Sequence, residues 1–358
     1  MSVVPDVPSA RGKSAGSIPN IRRNRLPTDD SRSGRLAIGK RPRSPVGPTK
    51  SWMDGEGTGR ETPSVSWVRV RLQRTLRSGP KVSPCGARAE SGCNRLGTSV
   101  PRIAIISDIH GNRVALEQVL RDCEVRNVDA IFCLGDVVGY GPEPSECVSL
   151  VRANCKLCIR GNHEDALLHP ETMKGWNVVA KAGIAFARRT MSADALAFIG
   201  SLPSSFAISE TILGVHDSPV PSEDGMSYLR TKQDAAEAFG WFSERFCVIG
   251  HTHVPSCFVT RVKTARDTIG LDDVDERPLI SNDGRSTVDL PRLGRVIINP
   301  GSVGQPRDRD PRASYAVIDL GRSVLELHRV EYDVAEVLRR SLAVGLPLQA
   351  GERLAMGA

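Results

Sequence analysis

Short apolar runs recur between residue 101 and the end of the chain, and each of the early ones stops at a polar cluster. Ile103–Ile106, Ala130–Leu134, Leu157–Ile159, Ile212–Val215 and Cys247–Ile249 have the near-continuous apolar character of parallel strands buried on both faces. The first of these strands extends over 102–107 and the third over 157–160. Segments of helical period lie between them at 112–126, 143–154, 174–190 and 193–199, the last preceded by the capping residue Ser192. Strands at 205–209 and 211–216 meet in a tight turn at Glu210, and a helix over Thr231–Ser243 leads into a strand at 246–250. Beyond His253 the pattern turns to strands at 256–262, 293–298, 314–319 and 323–331, and a helix follows over Val334–Ala343. Residues 263–292 are polar and rich in Asp and Arg, and read as a long loop or insertion. Early βαβ units followed by antiparallel strands predict an α/β (α+β) fold with mixed sheets.

The polar clusters are Asp108-Ile109-His110, Gly135-Asp136, Gly161-Asn162-His163-Glu164, His216 and Gly250-His251-Thr252-His253. They hold five of the seven histidines in 358 residues. Clustered Asp and His at strand ends are costly to bury unless a cation satisfies them, and the pattern reads as a two-metal hydrolytic site. Asp108 and His110, like His251 and His253, are two apart, so in extended chain each pair shares a face. Ligands just past the carboxyl ends of strands gather at one edge of an open sheet.

In order and wording these clusters resemble the calcineurin-like metallophosphoesterase superfamily, and within it the small prokaryotic phosphodiesterase-like branch. The likeness is carried by Ser107-Asp108-Ile109-His110-Gly111-Asn112, by Gly135-Asp136-Val137-Val138-Gly139-Tyr140-Gly141-Pro142 and by Asn299-Pro300-Gly301-Ser302-Val303-Gly304-Gln305-Pro306-Arg307. It runs from about Pro101 to the C-terminal region, where Val330-Glu331-Tyr332-Asp333 also fits. The resemblance implies a four-layer αββα sandwich, two mixed sheets face to face with helices outside both. It also implies two divalent cations, with Asp136 bridging them, Asp108, His110 and His253 completing one site, and Asn162, His216 and His251 the other. Mixed Asp, Asn and His donors suit Mn, Fe, Zn, Co or Ni without choosing among them.

His163 resembles the superfamily's leaving-group acid, with Glu164 its orienting partner. Asn112 is expected to position phosphate or an outer water. Arg307 either reaches a substrate phosphate or is a solvated surface arginine. Tyr140 either lines the pocket or serves a tight loop, and the Asn299–Ser302 turn is expected to shape the pocket wall. One departure stands out: the superfamily commonly has His-Gly where this chain has His216-Asp217. Asp217 would then hydrogen-bond to His216, repel an anionic substrate or alter metal preference.

Composition separates two regions. Residues 1–100 carry 19 Lys and Arg against seven Asp and Glu, while residues 101–358 carry 29 against 34. The basic character belongs to the leader, and the 258 residues after it are ample for one core. Rich in Arg, Ser, Pro and Gly, the leader is expected to be disordered. It reads as a basic tail, a targeting peptide or the product of an upstream start codon, and an inert tail or start-site artefact is favoured. Within it, Ser66–Leu76 alternates like an isolated strand with no partner strand nearby. Nine cysteines, several in apolar runs, point to a reducing compartment, so the cytoplasm is expected. Cys155 and Cys158, three apart, face opposite sides of an extended segment and do not suit a redox pair or zinc knuckle. No stretch approaches the roughly 20 apolar residues of a membrane span.

The expected activity is hydrolysis of phosphodiesters or small phosphorylated metabolites and nucleotides. Dinucleoside-polyphosphate or protein phosphatase activity, a nuclease-like role with the leader holding nucleic acid, and a non-catalytic protein-binding scaffold are the alternatives. The acidic core and the lack of a visible aromatic-basic platform weigh against nucleic acid. The presence of all seven expected ligands weighs against the scaffold. Oligomeric state is not legible.

Overall fold

The computed structural model describes residues 67–70 and 101–358, apart from 209–210, 223–226, 262–268, 280–283 and 292–293. Contacts divide the chain into residues 1–60 and 61–358, and every described residue belongs to the second unit. The expectations of leader disorder over 1–66 and 71–100 therefore lie outside the described residues.

The elements follow in chain order. β1 (Trp67–Val70), β2 (Arg102–Ile106), α1 (Arg113–Val125), β3 (Ala130–Cys133), α2 (Pro144–Asn154) and β4 (Leu157–Cys158) come first. Then come α3 (Asn162–Leu168), α4 (Val178–Thr190), α5 (Ala193–Ser201), β5 (Ser205–Ile208), β6 (Ile212–Val215), α6 (Lys232–Ala238) and β7 (Phe246–Val248). The chain continues through β8 (Ser256–Thr260), β9 (Val274–Glu276), β10 (Arg285–Asp289), β11 (Arg295–Asn299), β12 (Ala313–Asp319), β13 (Val324–Val330), α7 (Val334–Ala343) and α8 (Leu348–Met356).

One sheet has the order β1-β5-β6-β7-β11-β8-β9 and the other β10-β13-β12-β2-β3-β4. Both are mixed: β2, β3 and β4 run parallel, as do β6, β7 and β11, while β12 and β13 are antiparallel. The two-residue alternation of a strand sorts side chains into three apolar layers. Ile103 and Ile105 of β2 join Phe246, Val248, Val296 and Ile298 between the sheets. Ala104 and Ile106 face Leu116, Val119 and Ile184 of the helices outside the second sheet. Cys247 and Ile297 face Ala235 and Phe239 outside the first. Each fully buried Ile or Phe contributes about 1.5–3 kcal/mol, so this partition is what makes the four-layer αββα sandwich the stable arrangement.

Several elements differ from the sequence reading. Trp67–Val70 is not isolated: it pairs in parallel with β5 at the sheet edge. The polar segment 263–292 is not simply a loop, because it supplies an edge strand to each sheet, β9 beside β8 and β10 beside β13. Edge strands such as Arg-Ser-Thr-Val-Asp are half solvated and polar, which hides them from a search for apolar runs. The helix expected to reach Ser243 ends at Ala238, where Phe239 caps it and Gly240 turns the chain. Two helices went unread, α3 within a ligand cluster and α8, whose interior Gly351 packs against Leu338. Ser192 caps α5 as expected, accepting from the Ala195 amide. The seven cysteines among the described residues are free thiols. No helix among the described residues is long and apolar enough to cross a membrane.

His328 of β13 is fully buried, stacked on Tyr315 at 5.1 Å, with Nε2 3.2 Å from the Glu326 carboxylate. Burial pushes its pKa down to about 4, assisted by Arg126 and opposed by Glu326. The neutral ring is the native form, so its stabilising contribution is full above pH 6.5 and is lost as pH falls toward 4. The urea midpoint of the wild-type chain should therefore drop more steeply across that range than that of His328→Gln. Equal slopes would remove His328 from the acid response.

Candidate metal centre

The parallel strands of both sheets aim their carboxyl ends at one place. β2, β3 and β4 deliver Asp108 with His110, Asp136, and Asn162; β6 and β7 deliver His216, and His251 with His253. Asp108, His110, Asp136 and His253 bring ligand atoms within 4.8 Å of one another, and so do Asp136, His216 and His251. All six are buried. Asn162 joins the second group, with Oδ1 3.1 Å from His216 Nε2. The structure thus assembles all seven residues that the sequence singled out as ligands.

The backbone does this in a way the spacing did not predict. Asp108, His110, Asp136, His251 and His253 have φ between 51° and 65°, the left-handed region. The Asp-x-His and His-x-His pairs therefore converge by alternating left-handed turns past the strand ends, not by sharing the face of extended chain. Non-glycine residues pay about 1 kcal/mol or more for this conformation, and it concentrates at functional sites. Two glycines make the packing possible. A Cβ on Gly161 would lie 2.2 Å from Asp136 Oδ1, and one on Gly250 would lie 2.1 Å from Ser107 Oγ.

Backbone carbonyls fix three imidazoles. His110 Nδ1 bonds to Val138 O at 3.1 Å, His216 Nδ1 to Leu134 O at 2.7 Å and His253 Nδ1 to Gln305 O at 2.6 Å. A carbonyl only accepts, so each Nδ1 carries the proton and each Nε2 presents a lone pair inward. His110 Nε2 and His253 Nε2 then face each other at 3.1 Å. Burial holds both rings well below their usual pKa, so protonating one does not relieve the contact. Two lone pairs at that distance need a cation between them. His251 Nε2 is buried with no hydrogen-bond partner among the described residues, a second donor without a recipient. This donor set fits divalent metal.

Electrostatics follow from the dry setting. Burial pushes Asp108 up to about 7, with His216 opposing. Burial pushes His251 down to about 3 and His163 down to about 4. Asp136 and His216 form the exception: burial resists both charges, yet their mutual attraction at 3.3 Å holds the carboxylate low and the imidazole high. Asp136 Oδ2 also lies 3.6 Å from His110 Nε2, so one carboxylate oxygen touches both groups. Its Oδ1 accepts from the His163 amide at 2.9 Å.

The weaker expectations fare differently. Asn112 does not face the centre: Oδ1 caps α1 by accepting from Ala115 N, Nδ2 donates to Gly304 O, and the amide is spent. Glu164 does not orient His163. Its Oε2 accepts from the amides of Asp136 and Gly161, and its Oε1 from those of Val137 and Val138, at 2.7–3.1 Å. Burial and Asp136 push Glu164 up, to about 8, against the pull of these amides. With two donors on each oxygen no room remains for a proton, and the ionised form is the one that fits. Asp217 makes no bond to His216, whose Nδ1 is taken by Leu134; its Oδ2 accepts from Ser227 N at 3.2 Å.

His163 is buried with Nδ1 unpartnered among the described residues, its ring against His110, Tyr140 and Trp176. Arg307 is half-buried, bonded to Gln305 Oε1 at 2.9 Å and near the Tyr140 hydroxyl, with Nε unpartnered among the described residues. The Asn299–Ser302 turn ties the loops together, Asn299 to Gly250 O and Ser302 to Asp108 O. Sequence reasoning missed Trp176 beside His163 and Tyr228 beside His251, because neither lies in a cluster or follows an apolar run. It also missed the locking carbonyls, which no side-chain pattern reports.

Two mixed sheets that share one edge lined with carboxylates and imidazoles define a metallohydrolase class of site. Residues 102–323 match the family described as the calcineurin-like phosphoesterase superfamily domain, and the chain belongs to that superfamily. It is 35% identical over 261 residues to an uncharacterized protein of Methanocaldococcus jannaschii, covering 71% of this chain and 98% of that one. A metallophosphoesterase from Sphaerobacter thermophilus of known crystal structure is 39% identical, with TM-score 0.61, covering 72% of this chain and 99% of the other. A hypothetical protein from Pyrococcus horikoshii shares the fold at 16% identity and TM-score 0.55, over 72% of this chain and 98% of its own.

Glu164→Gln places an amide NH2 against backbone N–H donors and should lower stability by about 2–3 kcal/mol in urea unfolding. A loss below about 0.5 kcal/mol would show that the four amides do not depend on the carboxylate.

Proposed function

We propose that this chain is a metal-dependent phosphoesterase acting on phosphodiesters or on small phosphorylated metabolites and nucleotides. The observation that carries the reading is the pair of inward lone pairs on His110 and His253, 3.1 Å apart beside Asp136. Asp108, His110, Asp136 and His253 would hold one divalent cation, and Asp136, Asn162, His216 and His251 a second, with Asp136 in common. When bound, the cations supply Lewis-acid charge at the phosphoryl oxygens and a nucleophile drawn from water.

The chain's own residues do the rest. The carbonyls of Leu134, Val138 and Gln305 hold three imidazoles in the tautomer that keeps Nε2 free. Glu164 holds the Asp136 loop against Gly161. Arg307, kept in place by Gln305, offers its unpartnered Nε to a phosphate oxygen as a charge-assisted donor. His163 keeps Nδ1 free; an anionic ester beside it raises its proton affinity, and it delivers a proton to the leaving-group oxygen. The free thiols are consistent with a reducing, cytoplasmic setting.

The test is hydrolysis of a chromogenic diester and a chromogenic monoester by the full chain, stripped of metal and titrated with Mn²⁺, Ni²⁺ and Zn²⁺. Metal should restore turnover, and Asp136→Asn should reduce it on the order of a hundredfold or more while lowering the number of cations bound. Unchanged turnover or metal content in that variant would overturn the shared-ligand role. His163→Ala should slow esters with poor leaving groups on the order of a hundredfold and activated aryl esters much less. Equal losses on both would remove His163 as the acid.

A further inference from the structure

The segment after His216 departs from the superfamily's usual form at Asp217, and that departure leads to an aromatic shelf. Asp217 Oδ2 accepts from the amide of Ser227, which fixes the residues just beyond it. Leu229 is buried in the apolar layer beneath α6, with Phe239, Phe242 and Ile249. Anchored at Leu229, the chain presents Tyr228 and Arg230 outward as exposed neighbours. The Tyr228 ring stacks on His251, a residue of the metal centre, with centroids 4.3 Å apart and planes 28° apart. The Arg230 guanidinium lies 4.3 Å from the Tyr228 centroid. Tyr228 is nevertheless 44% exposed. An aromatic ring and a guanidinium plane, both open to solvent and in contact with a candidate ligand, form a planar cationic surface at the mouth of the site.

We propose that Tyr228 and Arg230 form a stacking subsite for the base of a nucleotide whose phosphate lies at the metal centre. The inference rests on the phosphoesterase reading for the position of the phosphate. Nucleobases stack on aromatic rings and on arginine planes, and a guanidinium adds cation–π attraction to a base lying over it. Sugar phosphates, phosphoamino acids and simple diesters have no planar group to place there. The shelf also supplies the aromatic-basic element that the sequence alone did not display. Asp217 is then a positioning residue for the shelf, where a glycine would leave Ser227 untied.

The test compares two ligands that differ only in the base: the methylene phosphonate analogues of AMP and of ribose 5-phosphate. Replacing the ester oxygen by carbon keeps both intact during the measurement. Titration calorimetry with the full chain in Mn²⁺ should show the adenosine analogue binding about tenfold more tightly. Tyr228→Ala should abolish that preference, and Asp217→Gly should reduce it. Equal affinities in the wild-type chain, including no measurable binding of either, would overturn the shelf. A preference that survives Tyr228→Ala would overturn it as well. Diester hydrolysis, measured in parallel, reports on the phosphoesterase reading separately: absent turnover with the adenosine preference intact would retain the shelf and discard that reading.

Discussion

The structure is organised around the burial of two carboxylates and four imidazoles within a few ångströms, in a space that water does not fill with hydrogen-bond partners. His110 and His253 direct lone pairs at each other, and His216 directs one at the oxygen of Asn162 unless it shares the Asp136 charge. Such an arrangement is repulsive as a purely protein object and becomes favourable when positive charge enters it. The left-handed turns, the close approach of Gly161 and Gly250, and the carbonyl locks on three imidazoles all serve that one electrostatic requirement.

Strain of this kind persists only where the surroundings over-determine it. Here the surroundings are two sheets, each contributing half of the cluster. Asp108, Asp136 and Asn162 follow strands of one sheet, His216, His251 and His253 strands of the other. The apolar layer between the sheets therefore sets the distance between the two halves. Asn299 and Ser302 bridge the loops directly, one bonded to Gly250 and the other to Asp108. Glu164 does the same within one sheet, binding the Asp136 turn to Gly161 through four amides. A cation bound at the cluster would hold the sheets together as well, which couples metal affinity to folding stability.

Around this fixed centre the chain varies what faces the substrate. Trp176 packs on His163 and Tyr228 on His251, and both come from connecting segments, where sequence can change without disturbing either sheet. Asp217 shows how a single departure from a superfamily pattern acts at a distance: its carboxylate turns away from His216 and ties down Ser227.

Local sequence determined much of this protein. Apolar runs ending in Asp, Asn and His identified the parallel strands and all seven candidate ligands, because burial and ligand chemistry are written in residue type. The cap at Ser192 was legible for the same reason: hydrogen-bonding capacity is a property of the side chain. What only tertiary structure decided is where the backbone goes after each strand and which groups it brings there. The left-handed turns at Asp108 and His251, the carbonyls that lock the imidazoles and the amides that claim Glu164 are main-chain features without a residue signature. Asn112 and Glu164 were misjudged because a polar side chain beside a ligand has several partners within reach, and only the folded geometry shows which one takes it. β9 and β10 were hidden by the polarity of edge strands, and Tyr228 by a loop whose direction depends on Asp217 and Leu229 together. Each of these choices is made by contacts between residues far apart in the chain, which no local pattern encodes.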